Sequence, residues 1–179
     1  MGDFKVFSVR RDRRRSPRTG TEHDFHILEM PEWINVIPVT RAGNVVVIHQ
    51  YRHGTEEGSL EIPGGVAEPE DGSLAEAARR ELLEETGFSA EEILRIGHVA
   101  ANPAIQTNRL HTFVALGAHK IQELTQEAGE DIAVDEVPME SISNLISSGQ
   151  IDHALVVAGL YWFEQFRQCQ PEVLERYVD

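Results

Sequence analysis

Apolar positions along this chain follow two rhythms. Trp33–Thr40 and residues 44–51 are nearly continuous runs rich in Val and Ile, parted by Arg41-Ala42-Gly43. Short apolar runs divided by a turn signal predict two buried strands joined as a hairpin. Residues 4–9 alternate loosely and read as a strand, as do residues 24–30, where Pro31 interrupts the pattern. The arginine-rich run between them, up to Gly20, reads as a connection. Residues 54–58 read as a polar loop and 60–65 as a short extended piece ending in a Pro-Gly turn. Further strands are expected at 93–101, 110–116 and 132–137.

The second rhythm is helical. Within residues 73–86, Leu74, Ala78 and Leu82 recur every four positions and can face a core. Ser73 is placed to cap the start, with Glu76 three residues on completing a capping box, and Gly87 is placed to end the helix. Residues 140–148 and 153–168 also read as helices, the second strongly apolar. Strands, a helix, more strands and more helices predict an α/β or α+β class with a mixed sheet.

Composition narrows the picture. A chain of 179 residues with 41% hydrophobic and 26% charged positions is expected to form one soluble globular domain, 1–179. Residues 1–40 form its strand-rich extension and 41–179 its main body. No run of about 18 apolar residues exists, so no spanning helix is expected. The first residues lack the apolar stretch of a secretory signal, and Cys169 is the single cysteine, so a reducing cytoplasm is expected. The net charge is −14. The first twenty residues hold seven basic and two acidic side chains, net +5, which leaves −19 on the rest. Such a body repels nucleic acid, and an enzyme of this charge acting on phosphates needs divalent cations to bridge them. The arginine cluster is expected to be a solvated turn or to lie on an acidic neighbour. The eight histidines lack zinc spacing, and no Walker loop or Ser-His-Asp signature is present.

The chemistry concentrates in residues 65–88. On a helix, Glu81 stands three and four residues before Glu84 and Glu85, so all three carboxylates crowd one side. Arg80 can pair with Glu76 and Glu84, and hard divalent cations suit the remaining oxygens. The plain alternative is a solvated acidic face. The surrounding residues argue otherwise, because a Pro-Gly-Gly turn leads into the helix and Gly87 closes it. Arg80-Glu81-Leu82-Leu83-Glu84-Glu85-Thr86-Gly87-Phe88 resembles the Nudix box, Gly-x5-Glu-x7-Arg-Glu-(apolar)-x-Glu-Glu-x-Gly-(apolar), at every fixed position of its second half. One residue is extra before it: Gly65 lies fifteen residues ahead of Arg80 rather than fourteen. The first box glutamate therefore falls on Glu70, Asp71 or Gly72.

This resemblance implies an α/β/α sandwich around a mixed sheet, and hydrolysis of a nucleoside diphosphate linked to another moiety with Mg²⁺, or Mn²⁺. By position, Glu81 and Glu85 look like metal ligands, Glu84 a ligand or its support, the Gly64 carbonyl a further oxygen, and Arg80 the partner that orients the glutamates. The N-terminal strands are similar to the extension of ADP-ribose and nucleoside diphosphate sugar pyrophosphatases, which is exchanged in homodimers. Pro103, sixteen residues after Gly87, and residues 149–154 are similar to that subfamily too. The loop 102–109 looks more like the general sugar-nucleotide version; its amides, Asn108 among them, and Arg109 could bond sugar hydroxyls or a base edge. Arg52 sits where the family places a phosphate-binding arginine. Trp33 could stack on a base, or be a core residue. Glu61 could order metal-bound water or hold Arg52. In loop 125–131 Glu130 is the first choice for the base that activates water, and Glu127 the second. The expected activity releases a nucleoside monophosphate and a sugar phosphate. A cleaner of oxidised (d)NTPs and a non-catalytic nucleotide-sugar sensor are the competing readings.

Overall fold

A computed structural model describes residues 2–4, 6–124 and 131–179. Its strands are β1 (Asp3–Phe4), β2 (Phe7–Arg15), β3 (Glu22–Glu29), β4 (Trp33–Thr40), β5 (Asn44–Arg52), β6 (Glu57–Glu61), β7 (Gly64–Val66), β8 (Phe88–Ser89), β9 (Glu92–Ala100), β10 (Arg109–Lys120) and β11 (Ile132–Pro138). The helices are α1 (Leu74–Thr86), α2 (Ile142–Ser147), α3 (Ala154–Cys169) and α4 (Pro171–Leu174). Strands β1–β3 make a small antiparallel sheet. The others form a mixed sheet with the path β11-β5-β4-β10-β8, in which β4 and β10 run parallel and β9 lies beside β10.

Both faces of the large sheet are covered, which is why its central strands read as continuous apolar runs. Val45 and Val47 face one cluster and Val46 the other. Ala77, Ala78 and Leu82 of α1 pack with Ile34, Val36, Val46 and Phe113 on one side. Val156, Leu160, Phe163 and Phe166 of α3 pack with Ile37, Val39, Val45 and Val114 on the other. This is the expected α/β/α layering.

The feature that makes a site is a split in that sheet. Strands β4 and β5 share a single registered pair, Val39↔Val45. The start of β4 takes β7 as its partner, Trp33–Asn35 against Val66–Gly64. The end of β5 takes β6, Ile48–Arg52 against Glu61–Glu57. The two strands therefore diverge, and the gap becomes a cavity.

Several local expectations need correction. The arginine run is no connection: Arg10–Arg15 lie on β2, in register with β3. Complementary acids on β3 made a strand possible where the arginines alone suggested a loop. The polar loop is shorter than 54–58, because β6 begins at Glu57. The helix expected at 140–148 opens as a 3₁₀ turn at Met139–Ser141 before α2. Strand β10 runs on to Lys120. At α1, Ser73 Oγ accepts the Glu76 N–H at 3.2 Å, the Ser73 half of the expected box. Gly87 ends the helix at φ 74°, a left-handed conformation that suits glycine.

Candidate active site

Helix α1 presents its carboxylates to the β7 strand that borders the split. Glu85, buried, accepts the Gly64 N–H at 2.7 Å. Glu81 lies against Gly65, where a Cβ would collide with its carboxylate. That close approach of turn and helix leaves room for glycine at position 65 and for no larger residue. Glu84 is more exposed and meets Arg80 Nη1 at 2.9 Å.

Arg80 ties the region together. Its Nη1 also donates to Glu81 at 2.9 Å, and its Nη2 to the Val66 carbonyl at 2.9 Å. Its Nε and Nη2 form a fork on Asp71, at 2.8 and 3.1 Å. Asp71 also accepts the Glu68 N–H at 2.7 Å. Of the three positions left open for the first box carboxylate, Asp71 is therefore the one that meets the arginine. Sequence counting left it one of three because the loop holds one extra residue. The expected Arg80–Glu76 pair does not form. Glu76 meets Arg79 instead, at 3.6 Å.

Electrostatics separate these groups. The Arg80 hydrogen bond holds the Asp71 carboxyl below the usual carboxylate range. Burial pushes the Glu81 carboxyl up, although Arg80 draws it down. A buried carboxylate that its own arginine does not fully compensate suits a hard cation. Among the described residues, no three His, Cys, Asp or Glu side chains are already gathered as a coordination set. The donors thus fit a divalent cation by chemistry rather than by preformed geometry.

The cavity in the split has a volume of about 740 Å³. Trp33, Asn35, Arg52, Glu61, Gly64 and Gly65 line it together with Asp152–Val156 at the start of α3. That size falls within the range of small-molecule sites. Glu61 is 3% exposed and holds Arg52 through a fork, Nε at 2.7 Å and Nη2 at 2.6 Å. Burial alone would raise the Glu61 carboxyl; Arg52 more than offsets that and leaves it lowered. Of the two roles considered for Glu61, the structure shows the holding of Arg52.

The loop residues fare differently. Pro103 and Arg109 are exposed and absent from the cavity wall. The Arg109 N–H donates to Glu32 at 3.2 Å. Asn108 is buried, off the cavity wall, with neither amide atom partnered among the described residues. Glu130 and Glu127 lie outside the described residues. Sequence reasoning passed over Asn35 and gave residues 149–154 a subfamily likeness without a place in the site; a non-local split brings Asn35 and Asp152–His153 to the cavity.

Comparison with known proteins agrees with this geometry. The model of the NUDIX domain matches residues 32–158. The chain is 29% identical over 141 residues to the ADP-ribose pyrophosphatase of Bacillus subtilis (strain 168), covering 77% of this chain and 75% of that one. It is 32% identical over 139 residues to the methanol dehydrogenase activator of Bacillus methanolicus, covering 75% and 74%. A crystal structure of an ADP compounds hydrolase superposes with a TM-score of 0.83 at 21% identity, over 95% of this chain and 91% of that one, a likeness of fold. No helix among the described residues is long and apolar enough to cross a membrane.

Proposed function

The chain belongs to the Nudix family, and we propose that it hydrolyses the diphosphate bond of ADP-ribose or related nucleoside diphosphate sugars, yielding a nucleoside monophosphate and a sugar phosphate. One observation carries this reading: the Glu81–Glu85 carboxylates touch Gly65 and Gly64 at the rim of a cavity that also holds Arg52 and Trp33. Acid for cations, a guanidinium for phosphate and an aromatic face for a base meet in one place.

In this reading each residue of the site has a role. Glu81 and Glu85, with the Gly64 carbonyl and support from Glu84, hold a divalent cation, Mg²⁺ or in its place Mn²⁺. When bound, the cation neutralises the diphosphate and lowers the pKa of the attacking water. Arg80 and Asp71 fix the carboxylates. The Glu61 fork uses Nε and Nη2 of Arg52, so Nη1 can meet a phosphate oxygen. Trp33 offers its ring to the base, whereas Pro103, Asn108 and Arg109, off the cavity wall, take no part in this reading. Glu130, chosen from the sequence, takes the proton of the attacking water; Glu130→Gln lowers kcat at least about tenfold, and near-normal turnover removes it from that role. The relatives named as acting on ADP-ribose support the substrate class. The small β1–β3 sheet leaves Phe4, Val6 and Phe25 about half exposed or more, and we assign it to a homodimer contact. A monomer mass by light scattering at micromolar concentration removes that assignment.

The deciding experiment is product release from ADP-ribose, ADP-glucose, GDP-mannose, UDP-glucose and 8-oxo-dGTP, with Mg²⁺ and with chelator. Metal-dependent cleavage of the sugar nucleotides, lowered at least about a hundredfold in Glu85→Gln, is expected; outer-shell changes alone cost roughly 10–100-fold. Cleavage of 8-oxo-dGTP alone moves the chain to nucleotide-pool cleaning. Binding without any turnover makes it a sensor.

A further inference from the structure

Of the polar side chains on the cavity wall to which no role has been given, one is buried. Asn35 on β4 is 5% exposed. It stands in register with Gly64 of β7 on one side and Thr112 of β10 on the other. Its Nδ2 donates to the Leu155 carbonyl at 3.1 Å, in the first turn of α3, 120 residues along the chain. Its Oδ1 is buried and has no hydrogen-bond partner among the described residues. Two glycines are pressed against it. A Cβ on Gly159 would stand 2.6 Å from its Nδ2, and a Cβ on Gly64 would stand 2.9 Å from its Cα. Gly64 is the residue whose N–H holds Glu85.

We propose that Asn35 is a positioning residue that couples the α3 wall of the cavity to the Glu85 carboxylate by way of Gly64. The chain of contacts is continuous: Leu155 carbonyl to Asn35 amide, Asn35 backbone to Gly64, Gly64 N–H to Glu85. Residues Asp152–Val156 line the cavity, so whatever fills it bears on the turn that Asn35 holds. A close-packed contact passes such a displacement on, and at Gly64 no side chain is present to absorb it. A purely structural filler here would be apolar. A leucine fills similar space without leaving a buried acceptor unsatisfied, and the amide's cost is explained by the tie it makes.

The inference rests on the reading of Glu85 as a cation ligand and of the cavity as the substrate site. Coupling between two ligands is reciprocal and is measured without turnover. The experiment titrates Mn²⁺ by calorimetry with and without the α,β-methylene analogue of ADP-ribose, which resists cleavage. In the wild type the analogue tightens Mn²⁺ by at least about fivefold, within the usual span of coupled sites. In Asn35→Leu that factor falls below about twofold, although thermal melting shows the variant folded. With ADP-ribose as substrate, its kcat falls about tenfold while KM changes less. Asn35→Asp, which lacks the donor for Leu155, and Gly159→Ala, which crowds Nδ2, lower the coupling in the same direction and serve if Asn35→Leu does not fold. Thr112→Val, altering the buried neighbour whose hydroxyl has no partner among the described residues, keeps both coupling and turnover. Wild-type coupling without cleavage of any sugar nucleotide defeats the enzymatic reading and leaves Asn35 in its role. No coupling in the wild type, or full coupling in all three variants, overturns the inference.

Discussion

The arginines of β2 and the single Arg80 of α1 make ion pairs of similar length to very different effect. On β2 and β3, Arg13 meets Asp24 at 2.9 Å, Arg15 meets Glu22 at 2.9 Å, Arg14 meets Asp12 at 2.8 Å, and Arg10 meets Glu29. Each is a cross-strand or near-neighbour pair facing water on a thin sheet. At α1, Arg80 alone serves Asp71, Glu81, Glu84 and the Val66 carbonyl, and its side chain is only 25% exposed. Distance does not separate the two regions. Solvent access and convergence do: exposed pairs are screened and pay entropy for a single geometry, whereas Arg80 fixes one shape for several partners at once.

The largest effect should follow removal of that convergence. Arg80→Ala leaves Asp71 and Glu81 buried without their cation. Breaking a buried pair costs roughly 3–5 kcal/mol, and the partial exposure of Arg80 places the expected loss nearer about 2–3 kcal/mol. Denaturant unfolding reads it, and kcat should fall with it because Glu81 and Glu84 lose their common anchor. Arg80→Lys keeps the charge and loses the fork on Asp71, so it should recover only part of both. A full recovery by lysine would mean that charge alone mattered, and the contrast with the β2–β3 pairs would collapse.

Acid should sharpen the contrast next. The Asp71 and Glu61 carboxyls are held below their usual range in the folded chain. A lowered carboxyl contributes stability that is fully present above its unfolded value, about 4, and is lost as the pH falls through the lower folded value. Unfolding midpoints should therefore drop as the pH falls below about 4. Arg80→Ala should flatten that limb by removing the Asp71 part and leaving the parts of Glu61, Asp12 and Asp24. An unchanged limb in the variant would show that Asp71 draws no stability from Arg80.

How much of this was legible in the sequence follows the same division between local and non-local causes. Strands β4 and β5 and helix α1 were legible because hydrophobic period, cap and terminating glycine lie within their own residues. The spacing of Glu81, Glu84 and Glu85 was legible for the same reason. Asp71 was hidden by one inserted residue, and only the fork to Arg80 settles its place. The cavity was illegible because it arises where β6 and β7 draw β5 and β4 apart, and no local pattern encodes that divergence. Asn35 reads as a polar interruption of an apolar strand until Leu155 arrives from the far end of the chain. The arginine strand was misread because its charges are matched only in the register Arg13↔Asp24 and Arg15↔Glu22.

That register supplies the smallest expected effect. Arg13 is 64% exposed and its partner Asp24 is 34% exposed. The carboxyl of Asp24 is lowered chiefly by its hydrogen bond with Arg13. Water and salt compete with it from every side. Arg13→Ala should therefore lower the unfolding midpoint slightly in dilute buffer and indistinguishably from zero in 1 M salt, where the screening length shrinks to about 3 Å. Under the same salt, the deficit of Arg80→Ala should largely persist, because Asp71 and Glu81, unlike Glu84, are shielded from the ions that screen Arg13. If both deficits vanished together, burial would not be what distinguishes Arg80 from the arginines of β2, and the convergence of partners on Arg80 would have to carry the difference alone.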